Sequence, residues 1–133
     1  MFKIRIVTPE GLVAQDEVSI LNIVTPEGEM GILENHIPLV ASLDISIIST
    51  DNGTRKYYVV GEGTCQFQDN VALILVDSCE KEEDIDERRA LQSLVRAEKR
   101  ISESDSKVDI DRALKSKKRA EMRLKLKEHK RDN

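Results

Sequence analysis

In the last third of the chain Ala90, Leu94, Ala97 and Ile101 recur at spacings of 4, 3 and 4, and Ala113, Lys117, Ala120 and Leu124 repeat that spacing. Positions three and four apart share one face of an α-helix, so the pattern demands two helices packed along a common seam. The polar stretch between them, Ser102 to Lys107, is short enough for a tight reversal and makes the pair an antiparallel hairpin. Arg89, Arg96, Arg100, Arg112, Arg119 and Arg123 each stand one residue before an apolar residue. In an antiparallel pair these positions fall on one flank, with Arg89 opposite Arg123, Arg96 near Arg119 and Arg100 near Arg112. Such rungs of like charge repel one another unless an anion or an acidic partner lies across them.

The rest of the chain has a different period. From Phe2 to Val76, eight short β-prone runs alternate with Gly, Pro, Asn and Asp. Thr8-Pro9-Glu10-Gly11, Thr25-Pro26-Glu27-Gly28 and Asp51-Asn52-Gly53 each offer a fixed φ or a glycine where a hairpin must reverse. These features predict an all-β flattened barrel or sandwich over residues 1–84. Glu80-Lys81-Glu82-Glu83-Asp84 then breaks the strand pattern as a charged hinge. Residues 85–133 are expected to form the helical hairpin, frayed after about residue 126, where Lys125, Lys127, Lys130 and Arg131 leave little to bury. The expected class is α+β with two domains. Charge divides at the same place: residues 1–84 carry 5 Lys and Arg against 15 Asp and Glu, whereas residues 85–133 carry 16 against 10.

Ile85-Asp86-Glu87-Arg88-Arg89-Ala90 and Val108-Asp109-Ile110-Asp111-Arg112-Ala113 are copies of one pattern, an apolar residue followed by Asp-x-x-Arg-Ala, 23 residues apart. An aspartate at a helix start accepts hydrogen bonds from unpaired backbone N–H groups and complements the positive end of the helix dipole, so each copy is expected to begin a helix. The seam is mostly alanine and is interrupted by Lys117, which predicts weak packing and an element able to change shape.

Several function classes lose ground at this level. No apolar run approaches the ~20 residues that cross a bilayer, and the first residues lack the apolar core of a secretion signal, so a soluble intracellular protein is expected. Cys65 and Cys79 are then read as reduced core residues rather than as a disulfide. His36 has no second histidine nearby and no Cys or carboxylate at ligand spacing, which favours a structural role over a metal or catalytic one. A basic hairpin can contact nucleic acid, yet the net charge is -4 and aromatic residues make up 3% of the chain with none in the helices, so base stacking is absent. The β-domain offers no assembled cluster of acid, base and nucleophile for an enzyme.

The stretch Gly28-Glu29-Met30-Gly31-Ile32-Leu33-Glu34-Asn35-His36-Ile37-Pro38-Leu39, preceded by Ile6-Val7-Thr8-Pro9-Glu10-Gly11 and followed by the Asp-x-x-Arg-Ala hairpin, resembles the epsilon subunit of the bacterial F-type ATP synthase. The resemblance covers essentially the whole chain. Two departures stand out: Glu34-Asn35 replaces a frequent Pro-Gly before the histidine, and Gly61-Glu62-Gly63 stands where adjacent glycines are usual. The resemblance implies a non-catalytic rotor subunit of a proton-translocating complex at the cytoplasmic face of the bacterial cell membrane, its β-domain binding the gamma subunit and the ring of c subunits. Glu29 matches the family's c-ring contact and, with Met30, Gly31 and Ile32, would form an exposed loop. The other reading makes Met30 to Leu33 a strand of the sandwich and Glu29 its solvated neighbour.

The resemblance further implies a regulatory ATP site that requires no metal. Ile85, Asp86, Arg89 and Ala90 supply its pattern, Glu80 an upstream acid, and Arg96, Arg119 and Arg123 the remaining basic groups. Helix capping is the competing explanation, because Val108 to Ala113 has the same form outside the family's nucleotide site. With no Gly-x-x-x-x-Gly-Lys-Ser/Thr loop and no positioned base, bound ATP would act as a signal rather than a substrate. On release the hairpin is expected to extend along gamma into the head of alpha and beta subunits. There Arg112, Lys115, Lys117, Lys118, Arg119 and Arg123 would meet an acidic segment of a beta subunit and block hydrolysis. A rotor subunit without nucleotide sensing is the alternative.

Overall fold

Alternation governs the first strand, β1 (Phe2–Thr8), where Phe2, Ile4 and Ile6 are buried and Lys3 and Arg5 are exposed. The strand continues through a Thr-Pro-Glu-Gly turn into β2 (Gly11–Val18), and the same four residues join β3 (Ile20–Thr25) to β4 (Gly28–Leu33). Both turns use one chemistry. The threonine Oγ1 accepts from the glutamate N–H at 3.2 Å in each, and Gly11 and Gly28 take φ of 124° and 126°, a backbone that a side chain would strain. The remaining strands are β5 (Leu39–Leu43), β6 (Ser46–Asp51), β7 (Arg55–Val60), β8 (Gly63–Gln68), β9 (Val71–Val76) and β10 (Cys79–Lys81). Asp69 and Asn70, with φ of 53° and 57°, form the two-residue reversal between β8 and β9 that suits the twist of a hairpin.

The computed structural model describes residues 1–131, with side chains through residue 129. It divides into two compact units, with the boundary between Lys81 and Glu82. In the first unit β2-β1-β9-β8-β5 form one sheet and β10-β7-β6-β3-β4 the other. Every pairing is antiparallel except that of β1 with β9. Inward-facing residues of the two sheets make one core, among them Phe2, Leu21, Ile48, Val60, Phe67 and Ile74, with the rings of Phe2 and Phe67 edge to face at 5.4 Å. The expected β-domain with a following hairpin is the observed class. Two strands were not expected from the sequence: β2, and β10, which lies where a charged hinge was anticipated.

At the expected departure before the histidine, Asn35 takes φ 64°, a left-handed backbone that asparagine tolerates. Its N–H donates to Asn70 Oδ1 at 2.7 Å and Asn70 Nδ2 donates back to Asn35 Oδ1 at 2.9 Å, so the segment after β4 is clasped to the β8–β9 reversal. His36 Nδ1 lies 2.7 Å from the carbonyl oxygen of Ile37, and its ring packs edge-on against Phe67, as a structural histidine does. Both cysteines are free thiols; Cys65 is buried and Cys79 half-buried, and burial pushes each thiol up to about 11.

The second unit begins with a 3-10 turn at Glu82–Asp84, followed by α1 (Glu87–Glu103) and α2 (Lys107–Arg131). Ala90, Ala97, Ala113 and Ala120 are all buried, so the alanine positions of the seam are where the spacing puts them. Leu94, Ile101, Lys117 and Leu124 are half-buried. The loss of regular structure expected after about residue 126 is not observed through Arg131, while Asp132 and Asn133 lie outside the described residues. Leu126 explains the difference, being 1% exposed. The pairing that brings Ala97 and Ala113 together carries Leu126 past the first turn of α1 to the level of Ile85, itself 5% exposed. Among the described residues no helix is long and apolar enough to cross a membrane.

Candidate functional site

The start of α1 follows from Ile85-Asp86-x-x-Arg89-Ala90. Asp86 is the N-cap, with φ -96° and ψ 112°, and its Oδ1 accepts from the Arg89 N–H at 3.1 Å. Ile85, just before the cap, and Ala90, four residues into the helix, are both buried, the arrangement that fixes the angle at which a chain enters a helix. The second copy of the pattern behaves differently. Ser106 caps α2: its Oγ accepts from the Asp109 N–H at 3.4 Å and its carbonyl from the Ile110 N–H at 3.0 Å. The helix therefore starts at Lys107, and Asp109 sits inside the first turn, where it complements the dipole instead of capping. The expectation that both aspartates open their helices is corrected for the second, because a hydroxyl three residues earlier takes the capping position.

Above this start the flank of the hairpin is cationic. Arg89, Arg96, Arg100 and Arg112 are exposed, and Arg119 and Arg123 are half-buried. Arg96 and Arg100 line a hollow of ≈ 140 Å³ with Ser93, Ala97, Ala113 and Ser116, and Arg119 Nη2 donates to Ser116 Oγ at 3.1 Å. Arg96 and Arg119 thus converge on one serine. Arg100 and Arg112 share a second hollow, at the tip, with Glu103, Ser104 and Asp109. Among the described residues, Arg89, Arg96, Arg100, Arg112 and Arg119 make no salt bridge. Glu80 lies in the other unit, on β10 opposite Val59, whereas the other seven residues expected at a nucleotide site belong to the hairpin. Of the residues expected to meet a beta subunit, Arg112, Lys115 and Lys118 are exposed, and Lys117, Arg119 and Arg123 are half-buried along α2.

Sequence reasoning singled out the arginines and passed over Ser93 and Ser116. A signal was present: Ser93-x-x-Arg96-Ala97 and Ser116-x-x-Arg119-Ala120 are themselves a repeat 23 residues apart.

In the sandwich, Glu29, Met30 and Gly31 belong to β4, an edge strand paired with β3 through Val24, Ile23 and Asn22. The expected exposed loop is a strand, and alternation turns Ile32 into the core at 0% exposure, so only Glu29, Met30 and Gly31 present a surface.

The family model for the ATP synthase delta/epsilon chain, beta-sandwich domain, matches residues 1–82. That for the delta/epsilon chain, long alpha-helix domain, matches residues 83–128. Among solved structures, a chain of the Euglena gracilis mitochondrial ATP synthase, in an OSCP/F1/c-ring assembly, is similar at TM-score 0.76 and 24% identity over 89% of this chain and 76% of that one. A chain of the Tetrahymena thermophila mitochondrial ATP synthase, from its central stalk and c-ring, is similar at TM-score 0.66 and 14% identity over 92% and 93%. With both units matched in order, this chain belongs to the delta/epsilon family of ATP synthase chains.

Proposed function

We propose that this chain is the non-catalytic central-stalk subunit of a bacterial rotary ATP synthase, joining the gamma subunit to the c-ring at the cytoplasmic face of the membrane. Family membership over both units supports the reading, as does a fold neighbour taken from a central stalk and c-ring. Glu29, Met30 and Gly31 are the c-ring contact, presented on an edge strand where a polar loop can reach them. Loss of c-ring binding on Glu29→Lys, with gamma binding retained, is the expected result of a pull-down.

The hairpin binds ATP when folded and inhibits hydrolysis when extended. The observation that carries this part is the arginine flank without carboxylate partners, which can hold a polyphosphate through charge-assisted, often bidentate hydrogen bonds. Arg89, Arg96, Arg119 and Arg123 take the phosphates, while the carboxylates of Asp86 and Glu80 accept from base or ribose donors. The equilibrium is within reach of such a ligand. Four seam alanines bury one methyl each, about 3 kcal/mol together at ~0.8 kcal/mol per carbon. Ligand at 100 times its dissociation constant adds ~2.7 kcal/mol to the folded form. When ATP falls, the freed helices extend along gamma, and Arg112, Lys115, Lys117, Lys118, Arg119 and Arg123 engage an acidic segment of a beta subunit. Calorimetric titration of the full chain with ATP, with and without magnesium, tests the sensor. Arg89→Ala and Arg123→Ala are expected to weaken binding at least tenfold each, and unaltered titrations of both variants would remove the nucleotide site.

A further inference from the structure

The flank that carries the arginines carries a serine at the same place in each helix. Arg89, Ser93, Arg96 and Arg100 on α1, and Arg112, Ser116, Arg119 and Arg123 on α2, both read Arg-Ser-Arg-Arg at spacings of 4, 3 and 4, displaced by 23 residues. In an antiparallel pair whose register sets Ala97 against Ala113, the axis that exchanges the two copies passes between Ser93 and Ser116. Their hydroxyls therefore reach the same level across the seam, and both line the hollow of ≈ 140 Å³. Arg96 and Arg100 form its rim, and Ala97 and Ala113, having only methyl side chains, leave the space open.

The lining is made of donors. Arg119 donates to Ser116 Oγ, which occupies an acceptor lone pair of that hydroxyl and leaves its proton for an acceptor in the hollow. No carboxylate lines this space, whereas Glu103 and Asp109 both line the hollow at the tip and would repel an anion there. The volume equals that of about five waters at ~30 Å³ each, room for one tetrahedral phosphoryl group and far too little for a nucleoside.

We infer that Ser93, Ser116, Arg96 and Arg100 form a receptor for a single phosphoryl group, either the terminal phosphate of a nucleotide or free inorganic phosphate. For the first source the inference rests on the nucleotide reading and deepens it: Ser93, Ser116 and Arg100 read the third phosphate and so separate ATP from ADP.

The test is calorimetric titration of the full chain with ATP, ADP and inorganic phosphate in separate arms, for the native protein, Ser93→Ala, Ser116→Ala, their double variant and Arg100→Gln. Alanine favours helix more than serine does, so these variants keep their fold, which circular dichroism checks. The native chain is expected to prefer ATP over ADP. Each serine substitution lowers ATP affinity about tenfold and leaves ADP affinity unchanged, because a hydrogen bond to a charged phosphate is worth at least that factor. Binding of both nucleotides with no preference, or a preference that survives in the double variant and in Arg100→Gln, overturns the inference and leaves the nucleotide site standing. Binding of phosphate alone, weakened by Ser116→Ala, supports the receptor and overturns the nucleotide site. Binding of none of the three overturns both.

Discussion

Leu126→Ala should release more of the hairpin than any change in its seam. Leu126 is 1% exposed, and the substitution removes three carbons, a transfer loss of about 2.4 kcal/mol at ~0.8 kcal/mol per carbon. The space left behind raises the total to ~3–4 kcal/mol, comparable with the ~3 kcal/mol of all four seam alanines. Leu124, on the seam but only half-buried, should cost about half as much when truncated. Amide hydrogen exchange resolved by residue reads the difference. A loss of ~3 kcal/mol at about 1.4 kcal/mol per decade means that amides of α1 and α2 open about 150-fold more often in Leu126→Ala, while those of the sandwich keep their protection. A larger effect from Leu124→Ala, or unchanged exchange in the last turns of α2, would refute the idea that Leu126 anchors the end of this helix.

Two further outcomes can be checked directly. Asp86→Ala should destabilise the hairpin by ~1 kcal/mol in thermal unfolding followed by helical circular dichroism, and Asp86→Asn should cost much less because asparagine keeps the capping oxygen. Equal losses in the two variants would show that charge, not the cap, is what Asp86 supplies. For Cys65 the sign follows from its thiol, which ionises near 9.0 when unfolded and near 11 when folded. Over that interval the unfolded chain sheds the proton first, so this thiol's share of stability is intact below pH 9 and declines by on the order of 2 kcal/mol as pH rises to 11. Denaturant titrations of native protein and Cys65→Ala should differ in slope against pH only in that window, and parallel slopes would contradict the assignment.

The fold was legible wherever burial wrote a period into the chain. β1, β5, β7 and β9 were expected at the limits they adopt, because apolar residues there alternate between turn signals. β2 was missed because it is an edge strand whose Gln15, Asp16 and Glu17 carry no apolar alternation. β10 was hidden in a charged run, since a three-residue edge strand needs only backbone pairing with β7. In the hairpin, small residues at helical spacing announced the seam, yet Leu126 fell outside that spacing and looked exposed. The capping pattern was half legible: nothing local in Asp109 reveals that Ser106 precedes it as the cap. At the candidate site the arginines stood out by charge. Ser93 and Ser116 did not, because a serine in a helix has no periodic signature of its own until the partner helix places a second one opposite.

The parallel ladder of β1 and β9 sets an order of events during synthesis. β1 is a central strand, and Lys3 through Val7 pair with Val71 through Leu75 at the far end of the sandwich. Closing so long a loop is slow. As the chain leaves the ribosome, β1 can pair with β2 at once, but its other edge stays open until β9 emerges, a window in which stray strands can add to it. The helices are made only after that edge is covered, so this protein completes its rigid base before its movable arm exists.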